Sequence, residues 1–256
     1  MKKNYLIFGG SAGIGKSCAK KILEDGNNVY IFSRERKKII KLKKEFKKFK
    51  DKFFFCSGDI GKKKDIDKFI KLAKKQFKEI HGIVFSSGGP EIGNFDQIND
   101  KIWLQNFNIH CLGFLNIIKK IVPIFKKNKF GRIVVISSMS AKQPIPHLDI
   151  SNFLRPGLAG LCKSISMQLI KFNITINTIS PGSVLTERSM KIIKSRANKD
   201  KITFLKSYNK SLKKIPIGRF ANPDEIAELA KFLCSEKSSY LTGGIYMVDG
   251  GKYLSI

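Results

Sequence analysis

Short runs of β-branched and aromatic residues alternate along this chain with longer amphipathic stretches, and that alternation constrains the fold more than anything else in the sequence. The strand-like runs are Tyr5–Phe8, Val29–Phe32, Phe53–Cys56, Ile83–Phe85, Ile133–Ile136, Thr175–Ile179 and Ile245–Val248. Helical patterns fall between them, at Ile14–Leu23, Arg36–Phe49, Asp65–Phe77, Ile102–Phe125, Phe153–Ile170 and Asp224–Leu233. Strands separated by helices cannot pair as hairpins. They pair in parallel through right-handed crossovers, with helices covering both faces of the sheet. The expected class is therefore α/β, a doubly wound parallel sheet of about seven strands in three layers. No linker, repeat or low-complexity segment divides the 256 residues, so residues 1–256 read as a single domain. The stretch from Glu187 to Leu212 is polar and helical in pattern. It reads as a substrate-side helical lid over the carboxyl edge of the sheet, where open α/β folds bind ligands.

The formal net charge is +29, which raises the question of nucleic acid. Only seven of the 49 basic residues are arginine, and the lysines fall on helix faces. Between Arg36 and Phe49, for instance, Ile39, Leu42, Phe46 and Phe49 form an apolar stripe and lysines surround it. This is a solvated surface rather than a nucleic-acid patch, so no nucleic-acid partner is expected. The charge still suits anionic substrates such as an acyl thioester. No apolar run approaches the roughly 18–20 residues of a membrane span, and the opening residues run straight into Gly9-Gly10, as a first strand does. No membrane partner is expected. Cys18, Cys56, Cys111, Cys162 and Cys234 are scattered, which suggests neither a disulfide framework nor a metal site and suits the reducing cytoplasm.

Gly9-Gly10-Ser11-Ala12-Gly13-Ile14-Gly15 follows the first strand and opens the first helix. Glycines at such a junction let the backbone turn sharply and approach a pyrophosphate, while the helix N-terminus offers free N–H groups and the positive end of its dipole. The second strand ends in Ser33-Arg34, where a site for NAD carries an acid to hold the ribose 2′-hydroxyl. A guanidinium there can bind a 2′-phosphate with two hydrogen bonds, which points to NADP(H) ahead of NAD(H).

The glycine pattern Gly9-x-x-x-Gly13-Ile14-Gly15 resembles that of the short-chain dehydrogenase/reductase family, whose fold is of the Rossmann type. Further motifs follow in the family's order along the whole chain. Asp59-Ile60 resembles the adenine-contacting pair, and Phe85-Ser86-Ser87-Gly88 stands where the family has Asn-Asn-Ala-Gly. Asn108 matches the helix asparagine of the catalytic tetrad, and Gly131 to Ser138 resembles the strand that ends in the catalytic serine, Ser138. Asn177 to Thr186 resembles the nicotinamide-side Pro-Gly segment, which implies cofactor contacts from Pro181, Gly182, Val184 and Thr186. The C-terminal signature is matched by Pro216 to Phe220, Leu241 to Gly244 and Val248 to Gly251. The resemblance implies cofactor contacts also from Gly9, Ser11, Ala12, Gly13, Ile14, Gly15, Ser33, Arg34, Asp59, Ile60, Ser86, Ser87 and Gly88. It further implies a homo-dimer through the helices near 102–125 and 153–170, or a homo-tetramer.

The pattern breaks at the tyrosine and lysine that the family spaces four residues apart on one helix face. Ser151 stands in the tyrosine's place, thirteen residues after Ser138, and Arg155 in the lysine's. No register shift rescues the phenol, because no tyrosine lies between Tyr30 and Tyr208. The variant resembles a divergent subgroup akin to 3-oxoacyl-acyl-carrier-protein reductase. A phenol has a pKa of about 10 and can be tuned toward neutrality; a serine hydroxyl is a far weaker acid, and an arginine does not relay protons. The catalytic set expected is then Asn108, Ser138, Ser151 and Arg155, with Arg155 also holding the cofactor ribose. His147 and Asp149 stand just upstream as alternative proton sources, His147 being the one that titrates near neutrality. Two functions compete: an NADP(H)-dependent oxidoreductase acting on a carbonyl or alcohol of a small molecule or acyl thioester, and a dinucleotide-binding protein with lost or altered catalysis.

Overall fold

All seven apolar runs are strands in the computed structural model, which describes residues 2–255. They are β1 (Asn4–Phe8), β2 (Asn28–Ser33), β3 (Phe53–Ser57), β4 (Gly82–Phe85), β5 (Gly131–Ile136), β6 (Ile174–Pro181) and β7 (Ile245–Val248). The sheet order is β3-β2-β1-β4-β5-β6-β7, and every neighbouring pair is parallel. The chain winds outward from β1 to β3, returns past β1 to β4, and winds outward again. The connections that leave the carboxyl ends of β1 and β4 therefore diverge and open a crevice between them.

The pleat of β1 shows why helices lie on both faces. Leu6 and Phe8 point into one core, with Phe69, Ile117, Ile121 and Leu158. Tyr5 and Ile7 point into the other, with Ile22, Leu42, Ile226 and Leu233. The first core is sealed by α3 (Lys63–Gln76), α5 (Gly113–Asn128) and α6 (Asp149–Leu169). The second is sealed by α1 (Gly13–Glu24), α2 (Arg36–Glu45) and α9 (Pro223–Leu233). Phe32 stacks on Phe69 at 4.8 Å, and Phe8 meets Phe69 edge-on at 5.2 Å. Each fully buried ring or branched chain of this kind contributes roughly 1.5–3 kcal/mol.

Two expected helices differ. The one expected at Arg36–Phe49 ends at Glu45, and a 3-10 turn carries Lys47–Phe49. The one expected at Ile102–Phe125 is interrupted: α4 (Asp100–Phe107) passes through a π-helical turn, Asn108–Leu112, into α5. The π turn carries one extra residue and brings Gly113 against the segment after β3. A Cβ at Gly113 would come 2.7 Å from the Ile60 carbonyl oxygen, so only glycine fits this approach. The joined run 100–128 is long and apolar enough to cross a membrane by length and composition. Here it lays Phe114, Ile117, Ile121 and Phe125, none of them exposed, on the sheet. The segment expected as a lid forms α7 (Glu187–Lys199) and α8 (Phe204–Leu212).

Candidate active site

The glycine loop is shaped by close contacts. Gly9 has φ +86°, and a Cβ there would lie 1.9 Å from the Ser86 carbonyl oxygen. Gly15, in the first turn of α1, would place a Cβ 2.4 Å from the Gly9 carbonyl oxygen. The loop is thus pressed between β4 and α1 in a way no larger residue permits. Gly13 has φ +52° and faces open space on one side, with Thr186 on the other. α1 begins with neither a side-chain cap nor an acid in its first turn, so its leading N–H groups remain available to an anion. The Ser11 and Ser33 hydroxyl oxygens lie 2.6 Å apart and tie the loop to the end of β2. Arg34 follows, exposed on the rim. A cradle with these features fits the pyrophosphate of a dinucleotide.

The cradle opens into a cleft of about 930 Å³ at the carboxyl ends of the strands. Of the residues expected around a cofactor, Gly9, Ser11, Ala12, Gly13, Ile14, Ser33, Arg34, Asp59, Ile60, Ser86, Ser87, Gly88, Arg155, Pro181, Gly182, Val184 and Thr186 all line it. Gly15 lies buried beneath the loop instead.

Ser138, Ser151 and Arg155 meet in the same cleft. Ser138 follows β5, and its hydroxyl oxygen accepts the Ser140 N–H at 3.2 Å. Ser151 lies in the first turn of α6 and is buried, its hydroxyl oxygen 2.8 Å from that of Ser140. Arg155, one turn on, is 2% exposed. It donates to the Gly88 carbonyl at 2.7 Å and the Ile136 carbonyl at 3.3 Å, and its buried Nε has no partner among the described residues. Burial, and secondarily Arg188, pulls its pKa down to about 10, which still leaves the guanidinium charged at neutral pH. A buried cation that lines a cleft suits a hydroxyl-rich ligand such as a ribose.

Three expected site residues are not brought together there. Asn108 begins the π turn and is not among the residues that line the cleft. His147 lies outside the cleft, with Nδ1 held 2.7 Å from Asn94 Oδ1. The Asp149 carboxylate accepts the Phe95 N–H at 2.9 Å and is likewise outside. Neither reaches Ser151 to supply a proton.

The family model described as enoyl-(acyl carrier protein) reductase matches residues 9–252, nearly the whole α/β sheet and both motif-bearing ends. The chain belongs to the short-chain dehydrogenase/reductase family. NADPH-dependent reductase BacG of Bacillus subtilis (strain 168) is 28% identical over 257 residues, covering 100% of this chain and 99% of that protein. The 3-oxoacyl-[acyl-carrier-protein] reductase FabG of Staphylococcus epidermidis is 26% identical over 255 residues, covering 99% and 100%. Among solved structures, YwfH, described as an NADPH dependent reductase involved in bacilysin biosynthesis, superposes with a TM-score of 0.94 at 27% identity, covering 100% of both chains.

In this short-chain dehydrogenase/reductase, three residues that line the cleft or support its lining had no place in the sequence reading. Ser140 is the buried partner of Ser151. Arg188 on α7 reaches across the cleft and donates to the Pro90 carbonyl. His110, in the π turn, is 2% exposed and holds the Ser87 hydroxyl at 2.8 Å through Nδ1. Burial, followed by Arg155, Arg188 and Arg34, pushes its pKa well below the usual histidine value, so the ring is neutral. The one sequence signal for it was a lone histidine inside the apolar run Ile102–Phe125.

Proposed function

We propose that this chain is an NADP(H)-dependent oxidoreductase acting on a carbonyl or alcohol, similar to 3-oxoacyl-acyl-carrier-protein reductase, with Ser151 and Arg155 in the places of the family's tyrosine and lysine. The observation that carries the cofactor choice is Arg34 on the rim of the cleft, directly after the Ser11–Ser33 pair. The nearest acid in sequence, Glu35, is engaged by Lys38 at 3.2 Å and leaves the guanidinium free for a 2′-phosphate. The names of BacG and YwfH as NADPH-dependent reductases support the same choice.

On this reading Gly9 to Gly15 and the N-terminus of α1 hold the pyrophosphate, Asp59 and Ile60 border the adenine, and Ser86 to Gly88 run beneath the cofactor. Arg155 binds the ribose, and Pro181, Gly182, Val184 and Thr186 bound the nicotinamide. The cofactor supplies or accepts a hydride; the protein positions and polarises. Ser138 and Ser151 direct hydroxyls at the substrate oxygen, Ser140 supports Ser151 from behind, and the fixed charge of Arg155 favours negative charge developing nearby. With no phenol present, the final proton comes from water. That absence also favours the second reading, a dinucleotide-binding protein without turnover. Under the first reading Ser138, Ser151 and Arg155 are catalytic, and α7 with α8 covers the substrate.

The exposed apolar side chains Leu104, Phe153 and Met167, each about two-thirds exposed, suit a homo-dimer or homo-tetramer contact across α4 and α6. Five free cysteines suit the cytoplasm. The test of the cofactor assignment is a fluorescence titration with NADPH and NADH. NADPH should bind at least about tenfold more tightly, as a charge-assisted pair predicts, and Arg34→Asp should reverse the order. Equal affinity in the native protein would refute it.

A further inference from the structure

This chain carries 42 lysines but only seven arginines, and four of the seven line one cleft. Arg34 and Arg155 have work on the cofactor side. Arg188 and Arg196 do not. They stand on α7 with Ile192 midway, at i, i+4 and i+8, and all three face the cleft. Arg188 is engaged with the Pro90 carbonyl and has Glu91 nearby. Arg196 is half-buried and makes no ion pair within 4 Å among the described residues, although Asp200 lies one turn on.

Two lysines from other elements line the same cleft, and Lys252 lies near enough to both Arg196 and Lys214 to feel their charge. Lys214 follows α8, and Lys252 comes from the C-terminal segment after β7. Lys252 is half-buried and donates to the Ser183 hydroxyl at 2.9 Å, one residue beyond the Pro-Gly turn. Burial, then Arg196 and Lys214, depresses its pKa; Asp249 opposes the shift. The Asp249 carboxylate is itself taken up by the Gly251 and Tyr253 N–H groups, at 3.1 and 2.6 Å. Neither Lys214 nor Lys252 has a carboxylate within 4 Å among the described residues. Asp200 and Asp249 offset these charges only from beyond 4 Å, and like charges gathered in a recess are relieved when an anion joins them.

We propose that the substrate carries an anionic group, a carboxylate or a phosphate, seated among Arg196, Lys214 and Lys252 beside Ser183. The anion fixes the substrate's direction in the cleft, and the group to be reduced points back toward Ser138 and Ser151. Only this last step rests on the reductase reading; the anion subsite does not.

The experiment uses the full chain saturated with NADP(H). Acetoacetate and levulinate are each paired with their methyl esters, and acetoacetyl-coenzyme A is paired with the acetoacetyl N-acetylcysteamine thioester, which lacks phosphate. Binding by calorimetry and turnover by NADPH consumption are both read. The charged member should bind about 10–100-fold more tightly in at least one pair, the span of a charge-assisted hydrogen bond. Preference among the keto acids identifies a carboxylate; preference for the coenzyme A ester identifies a phosphate. Arg196→Ala and Lys252→Gln should each shrink the charged-to-neutral ratio, and Arg196→Lys should keep most of it. Equal binding within every pair, or a ratio untouched by these variants, overturns the proposal. A preference in binding without turnover leaves the subsite standing and defeats the reductase reading alone.

Discussion

The hydroxyl oxygens of Ser140 and Ser151 lie 2.8 Å apart on two residues that are each less than 5% exposed. A hydroxyl held by another hydroxyl has a fixed direction but gains little acidity. A phenol at the same position would be a far better proton donor. General acid catalysis contributes about 10²–10⁴-fold in rate, and a serine forfeits part of it. We therefore expect slow turnover of the acetoacetyl N-acetylcysteamine thioester by the native protein. Ser151→Tyr combined with Arg155→Lys should raise kcat by at least about tenfold. Steady-state NADPH consumption checks this, and an unchanged or lower kcat in a folded, NADPH-binding double variant would mean the site has been rebuilt for another substrate.

Gly13 bears on cofactor binding in a different way. With φ at +52° it sits where a β-branched residue is strained, and its open side faces the cleft. Gly13→Val should abolish NADPH binding in calorimetry while the circular dichroism spectrum keeps its native form. The strain should cost about 1–2 kcal/mol in urea unfolding. Unchanged NADPH affinity would remove the phosphate-loop assignment.

The buried ring of His110 makes stability depend on pH. Burial holds its folded pKa well below the usual histidine value of about 6.5 that an unfolded chain shows. Below that value the unfolded chain takes a proton that the folded protein refuses, so stability is complete above about pH 6.5 and falls as pH drops below it. One such group contributes a slope of at most about 1.4 kcal/mol per pH unit. His81, lowered chiefly by burial, adds a slope of the same sign. Urea unfolding at a series of pH values should show the decline, and His110→Gln should reduce it. A His110→Gln profile parallel to the native one would mean that the ring takes up a proton as readily in the folded protein as in the unfolded chain.

The sheet was legible because its central strands are buried on both faces and read as unbroken apolar runs, and the glycine loop because Gly9 and Gly15 have no sterically allowed replacement. The π turn was not legible. It depends on the tight approach of Gly113 to Ile60, a contact between elements more than fifty residues apart. That turn carries Asn108, expected in the catalytic set, and His110, which the sequence reading left out. Arg188 and Arg196 were invisible for a related reason: a polar helix does not announce which of its charged faces turns toward a cleft. His147 and Asp149, considered as alternative proton sources for their nearness in sequence to Ser151, lie outside the cleft. Both belong to the turn that ties Asn94 and Phe95 to the start of α6.

Catalysis and simple dinucleotide binding are separated most directly by following the hydride itself. The protein is loaded with NADPH deuterated at the transferable nicotinamide position and mixed, in a single turnover, with the β-keto thioesters and keto acids described above. The account predicts that deuterium appears on the carbinol carbon of one alcohol product and that NADPH is consumed in step with it. Tight NADPH binding with no deuterium in any product, and no loss of reduced cofactor, would contradict it.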